Sequence, residues 1–366
     1  MTEYILVFLL LLVVATGFYL VYERLTGKKK DSPHSSYVEA LRDLLDGRQE
    51  SAFTKLRQVV AEDSQNLDAY LRLGQILREN SQAERAIQVH KDLTLRQGLP
   101  REDKVAILHQ LSLDYLALND VKMAESALRE LIGLAGDDHW AHTRLLKLLE
   151  KSQRWEDAYD TAVRILQLEA NKSKKPLARF KYQAGLQLYR KREYHKARIV
   201  FKEAIGLDPT YVDAYLAIGD SYADEGRHED AVTFWNKLIS AVPEQGHRVI
   251  DRLQKTLFDL GRFGDIQGIC ESILEHAPRN IEARRALAEF YAKKGDLDQA
   301  VEIIESIFDD YPVDQDAALK LIRLYLERGE QDRIRGLLRN IEQRREKQRE
   351  LPADRASSAV SPEATA

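Results

Sequence analysis

The sequence predicts an all-α protein, a superhelical solenoid of about nine helix hairpins behind an N-terminal transmembrane helix. Three observations carry this expectation. The segment "GDSYADEGRHEDAVTFWNKLISAVP", residues 219–243, sets a glycine, an alanine and a proline at even spacing, and that spacing returns along the chain. Glycine and proline are scarce elsewhere, 18 and 9 in 366 residues, which suits long helical stretches. The chain also opens with the uncharged run "YILVFLLLLVVATGFYLVY".

The opening run, Tyr4 to Tyr22, is the first element. As a helix it would extend about 28 Å, close to the thickness of a hydrocarbon core. Tyr4, Tyr19 and Tyr22 stand near its ends, where amphipathic rings favour the headgroup level. A cleaved signal peptide would need a basic leading segment, whereas only Glu3 precedes the apolar run. Arg24, Lys28, Lys29 and Lys30 follow it, so the positive-inside bias leaves the C-terminal part in the cytoplasm. The expected division is a membrane anchor over 1–22 and a basic juxtamembrane tether over 23–32.

The repeats come next. Gly219, Ala231 and Pro243 are echoed 34 residues earlier by Gly185, Ala197 and Pro209, and later by Ala288, Ala300 and Pro312. A frame of that period gives units starting near residues 33, 67, 105, 139, 178, 212, 247, 281 and 315. Ala52, Ala86, Ala124, Ala158, Ala197, Ala231 and Ala300 share one position in it, with Ile266 and Ile334 in the other two units. A second position holds Ala40, Gly74, Ser112, Gly185, Gly219 and Ala288, but Leu146, Gln254 and Ile322 elsewhere. Small residues at these points let two helices approach closely while a large neighbour fills the gap. A single hairpin cannot bury its apolar face alone, so each unit leans on the next. Pro209, Pro243, Pro278 and Pro312 stop second helices, and Gly226, Gly261, Gly295 and Gly329 mark the turn inside each hairpin.

The frame slips at "RQGLPRED" and at "NKSKKPLA". The second slip is read as a linker loop over 171–177, between units 1–4 (33–170) and a block of units 5–9 with a terminal helix (178–350). It is either a bend dividing the array or a longer loop with no mechanical role. Residues 351–366 read as a disordered tail.

Composition narrows the function. The net charge of −4, with both signs nearly balanced, argues against a nucleic-acid binder. Cys270 is alone, so no intrachain disulfide is available, and its place between Ile266 and Ile273 reads as a buried structural thiol. No C-x-x-C pair, H-E-x-x-H, P-loop or glycine-rich nucleotide fingerprint occurs. His139 and His142 beside Asp137 and Asp138 read as a helix start rather than a metal site. No cofactor and no catalysis are expected. The expected activity is binding, in a groove lined by first helices, with Arg179, Tyr182, Tyr189, Asp220, Lys255, Arg285 and Arg323 facing it. Tyrosine and arginine are common anchors of protein interfaces.

The 34-residue pattern resembles the tetratricopeptide repeat. With the apolar run and tether ahead of it, "YVEALRDLLDGRQESAFTKLRQVVAEDSQNLDAYLRLGQILRENSQAERAIQVHKDL" and then "KVAILHQLSLDYLALNDVKMAESALREL" resemble the lipopolysaccharide assembly protein B family. The resemblance spans roughly residues 1–340. It implies a single-pass inner-membrane protein with cytoplasmic repeats. It further implies an adaptor that brings the deacetylase committing lipid A synthesis to a membrane-bound AAA+ protease. Self-association as a homo-oligomer is a further expectation. The family's rubredoxin-like knuckle needs two C-x-x-C pairs, and Cys270 is this chain's single cysteine, so no such metal site is expected. The alternative expectation is a membrane-anchored scaffold for envelope polysaccharide export or pilus assembly.

Overall fold

Helix hairpins follow one another without a strand among the described residues of the computed structural model, which are 14–18, 33–311 and 314–350. The first four hairpins are α1 (Pro33–Leu45) with α2 (Gln49–Glu62), α3 (Leu67–Glu79) with α4 (Ala83–Thr94), α5 (Arg101–Ala117) with α6 (Val121–Leu134), and α7 (His139–Lys151) with α8 (Trp155–Leu168). A 3-10 turn, Lys175–Leu177, leads into α9 (Ala178–Arg190) and α10 (Tyr194–Leu207). Then come α11 (Val212–Asp224) with α12 (His228–Ala241), and, after a 3-10 segment Pro243–Val249, α13 (Ile250–Asp259) with α14 (Asp265–His276). The last two are α15 (Ile281–Lys294) with α16 (Leu297–Asp310), and α17 (Gln315–Glu327) with α18 (Gln331–Glu350).

Of the apolar opening run, only 14–18 are described, and they are helical and exposed. Among the described residues no helix is long and apolar enough to cross a membrane. The expected anchor ends Tyr4 and Tyr22, the tether lysines Lys28, Lys29 and Lys30, Pro312 and the tail over 351–366 lie outside the described residues.

Each hairpin turn carries one residue in the left-handed region, and all nine stand at the same place in the repeat. Glycine fills it at Gly47, Gly226, Gly261, Gly295 and Gly329, whereas Ser81, Asn119, Gln153 and Arg192 adopt the same positive φ. The turn is therefore dictated by hairpin geometry even where the sequence offers no glycine, at a cost of roughly 1–2 kcal/mol for each side chain forced there. Helix starts are capped: Asn66, Asp120, Asp138, Asn280, Asp296 and Asp314 each accept a hydrogen bond from a backbone amide of the following turn. Asp138 is thereby committed to α7, and the His142 ring bonds the Gly136 carbonyl at 3.1 Å.

The fold comprises two compact units. One contains residues up to Ser152 together with 164–169, the other 153–163 and the residues from Ala170 onward. In the first, Ala40, Ala52, Leu56, Val59 and Ala69 form a core between α1, α2 and α3. The gap opposite Gly74 is filled by a histidine rather than a hydrocarbon. A Cβ at Gly74 would lie 2.3 Å from the His90 ring. His90 Nδ1 meets Asp114 Oδ2 at 2.5 Å and its Nε2 meets the Leu71 carbonyl at 3.2 Å. Asp114 also accepts from Arg78 at 2.7 Å, and both His90 and Asp114 are fully buried.

In the second unit the same gap is closed by aromatic rings. Phe201 lies where a Cβ on Gly185 would come within 2.5 Å, and Trp235 where one on Gly219 would come within 2.1 Å. Trp235, only 2% exposed, packs with Tyr215, Leu253, Cys270 and Phe290 in one core of this unit. Burial pushes the Cys270 thiol up to about 12, so it stays protonated and unreactive at neutral pH.

Candidate functional site

The seven candidate groove residues all lie in the second unit, on first helices α9, α11, α13, α15 and α17. First helices touch across repeats, α9 against α11 and α13 against α15. The candidates accordingly fall into two groups, those used between repeats and those left at the surface.

Asp220 belongs to the first group. Arg252 grips its carboxylate with two hydrogen bonds, at 2.7 and 3.1 Å. This planar fork matches a carboxylate and keeps the guanidinium charged. The Asp220 hydrogen bond raises Arg252 above its ordinary value, against a smaller opposing effect of burial. One turn earlier Arg248 pairs with Asp213 at 2.8 Å. Arg285 likewise pairs with Asp314, the cap of α17, and lies 3.8 Å from Asp316. These residues join neighbouring repeats, a role the sequence analysis did not assign to Asp220 or Arg285.

The tyrosines are half-buried. Tyr182 packs beside Tyr211 and Phe201, with ring centroids 5.4 and 5.8 Å away. Burial raises the Tyr182 phenol and lifts Tyr211 to about 12. Tyr189 donates to Asp224 and meets Tyr194 edge-on at 5.5 Å. Burial, and then the bond to Asp224, hold its phenol well above the ordinary range. Each ring therefore stays neutral, offering an apolar body with one polar tip.

The surface group holds Arg179, Lys255 and Arg323, all exposed. Arg179 also lies over the Phe180 ring at 4.4 Å. Beside Lys255 and Arg323 stand three large apolar side chains that the sequence analysis passed over: Phe258, 71% exposed, Leu319, and Leu326, 61% exposed. Lys255 and Arg323 share one repeat position, and Phe258 and Leu326 share the position one turn later. Reading the frame at that second position would have found them. Exposed apolar groups next to unburied cations can bind a mixed peptide or protein surface, with the apolar groups supplying affinity and the charges orientation. Among the described residues no group of three or more His, Cys, Asp or Glu is placed to hold a metal ion.

Two tetratricopeptide-repeat family profiles match residues 182–245 and 257–321. Lipopolysaccharide assembly protein B of Escherichia coli K12 is 26% identical over 261 residues, covering 70% of this chain and 67% of that protein. Two stretches of the chain thus match the tetratricopeptide repeat, and the chain is similar to lipopolysaccharide assembly protein B. The protein of the same description from Haemophilus influenzae is 21% identical over 206 residues, 56% of this chain and 52% of its own length. A solved tetratricopeptide repeat protein from Parabacteroides merdae aligns over 81% of this repeat protein and 99% of its own chain, at 12% identity and a TM-score of 0.36.

Proposed function

We propose that this protein is an inner-membrane-anchored adaptor of lipopolysaccharide assembly that binds other proteins and catalyses nothing itself. The observation that carries this reading is the similarity to lipopolysaccharide assembly protein B across 70% of the chain, joined to a repeat architecture. The apolar run over 4–22 would serve as the anchor, with Tyr4 and Tyr22 at its ends and Lys28, Lys29 and Lys30 on the cytoplasmic side. Tethering confines the repeats near the bilayer and raises their effective concentration toward membrane-bound partners.

The face carrying Arg179, Tyr182, Tyr189, Lys255 and Arg323 would be the binding groove, with Phe258, Leu319 and Leu326 as its apolar contacts. Asp220 and Arg285 would hold its repeats in register. Its proposed clients are a membrane-bound AAA+ protease and the deacetylase that commits lipid A synthesis, so that binding controls synthesis through turnover. The test is photo-crosslinking in living cells from a reactive amino acid placed at Phe258 or Leu326 of the full-length chain. Adducts with the deacetylase or the protease, lost when Lys255→Glu and Arg323→Glu are combined, support the proposal. Adducts with neither protein, in cells where the chain is membrane-bound and helical, refute it.

A further inference from the structure

The turn between α9 and α10 carries more positive charge than the repeat requires. Residues 190–198 read "RKREYHKAR", five lysines or arginines against one acid. Arg198 is buried and pairs with Glu225, so it belongs to the packing of the unit. The others stand outside. Arg190 at the end of α9, Lys191 and Arg192 in the turn, and His195 and Lys196 at the start of α10 are all exposed.

Turn cations elsewhere are engaged within the fold. Arg154, Arg227 and Arg262 each follow the left-handed residue of their turn, and each pairs with an aspartate three positions on. In the α9–α10 turn that position holds Glu193, which takes Lys196 at 2.6 Å. Asp224, from the next repeat, accepts from Tyr189. Among the described residues the side chains of Arg190, Lys191 and Arg192 have neither a carboxylate partner nor a hydrogen bond. One cation would complement the C-terminal end of α9, and three exceed that need. Arg192 is moreover held at φ 61°, where five other hairpin turns use glycine. A side chain kept in a strained conformation with no internal contact points outward, to function.

We infer that this turn rests on an anionic lipid surface, as a reversible membrane contact separate from the apolar run over 4–22. It deepens the membrane-anchored reading, which supplies proximity, while the charge supplies the attraction. Charge complementarity gives the sign of the surface, and the layout gives its form. Three successive residues rounding a turn diverge, so they neither line one groove nor converge on one phosphate. A plane of many headgroups offers each of them a partner. The neighbouring residues agree. Ile199, 48% exposed, lies one helical turn beyond His195, and the Tyr189–Tyr194 ring pair flanks the turn. Cations with one apolar side chain and tyrosines beside them suit the headgroup level, whereas a stable protein interface needs an apolar centre. Each lysine or arginine near such a surface strengthens association about fivefold, and three together about a hundredfold.

The test uses the full-length protein with His195→Cys carrying an environment-sensitive fluorophore, in vesicles with a nitroxide quencher on the lipid headgroup. Cys270 is fully buried with its thiol pushed up to about 12, so the introduced thiol alone takes the label. Flotation with phosphatidylcholine vesicles reads the anchor and quenching reads the turn, so the two can fail separately. Quenching is expected with about 30% phosphatidylglycerol, not with phosphatidylcholine alone, and should at least halve between about 50 and about 300 mM salt. Arg190→Glu, Lys191→Glu and Arg192→Glu combined should abolish it, with helicity by circular dichroism unchanged. Arg190→Lys combined with Arg192→Lys, which keeps the charge, should preserve it, because a diffuse surface does not read guanidinium geometry. Equal quenching in both vesicles, quenching that survives the glutamate substitutions, or none with phosphatidylglycerol overturns the inference, whether or not the protein floats. So does loss of quenching to inorganic phosphate at constant ionic strength, the mark of a discrete anion site. Preference of the turn for polyglutamate over the vesicles, the mark of an acidic protein partner, overturns it as well.

Discussion

Replacing Gly219 by alanine should weaken the repeat stack, although alanine is the better helix former. A Cβ there would lie 2.1 Å from Trp235 Nε1, 2.4 Å from Cδ1 and 2.7 Å from Cε2. Ordinary contacts between such atoms are about 3.5–4.0 Å, so the indole must retreat by more than an ångström. Trp235 is 2% exposed and wedged among core side chains, which resists that retreat. Overpacking of this kind costs about 1–3 kcal/mol, and the deficit here places it in the upper part of that range. The helical preference of alanine over glycine returns about 1 kcal/mol. The net loss expected is about 1–2 kcal/mol. Gly268 of α14 supplies the control, because nothing lies within 4 Å of a Cβ built on it. Gly268→Ala should therefore stabilise by about 0.5–1 kcal/mol, the helical gain alone. The assay is urea unfolding of the two variants and the parent, followed by far-ultraviolet circular dichroism. Trp235→Phe should rescue Gly219→Ala in part, since it removes the clashing edge and an indole N–H with no hydrogen-bond partner. Gly219→Ala stabilising as much as Gly268→Ala would refute the close-packing argument.

Other expectations are as specific. Asp114→Ala should cost about 3–5 kcal/mol in the same assay, because it strands the Arg78 charge and the buried His90 ring. Arg192→Gly should stabilise by about 0.5–1 kcal/mol, since an exposed side chain is held there at φ 61° with nothing to gain from it. Asp43 should make the first hairpin acid-sensitive. Hydrogen bonds from Ser51, then Arg48 and Lys55, hold its carboxyl far below the usual carboxylate range. Its folded value is thus depressed, so its contribution is present at neutral pH and is lost as pH falls below about 4. Amide exchange in α1 should accelerate there in the parent, and Asp43→Asn should abolish that pH dependence while loosening α1 at pH 7.

The repeat was legible because its physics is periodic. Ala231, Ala197 and Gly219 recur at fixed spacing since every hairpin meets the same crowding, and a fixed spacing can be read without coordinates. The turn position was legible where it is glycine and hidden at Ser81, Asn119, Gln153 and Arg192, where tertiary packing overrides backbone preference. The His90–Asp114–Arg78 cluster was hidden for another reason. Its members come from three helices, and His90 occupies a place that phenylalanine and tryptophan fill in later repeats. The candidate groove residues were legible as positions on first helices, but which of them pair between repeats was not. Asp220 and Arg285 proved to be ties between repeats, because a side chain pointing inward also points toward the next first helix. Phe258 and Leu326 escaped notice because an apolar residue in a helix is expected to be buried, and only the coordinates expose these two.

The adaptor role is tested most directly by the half-life of the lipid A deacetylase in cells whose only copy of this protein carries Lys255→Glu and Arg323→Glu. A lengthened half-life, with the variant as abundant and as helical as the parent, is the predicted result. A half-life equal to that in cells with the parent protein would contradict the account.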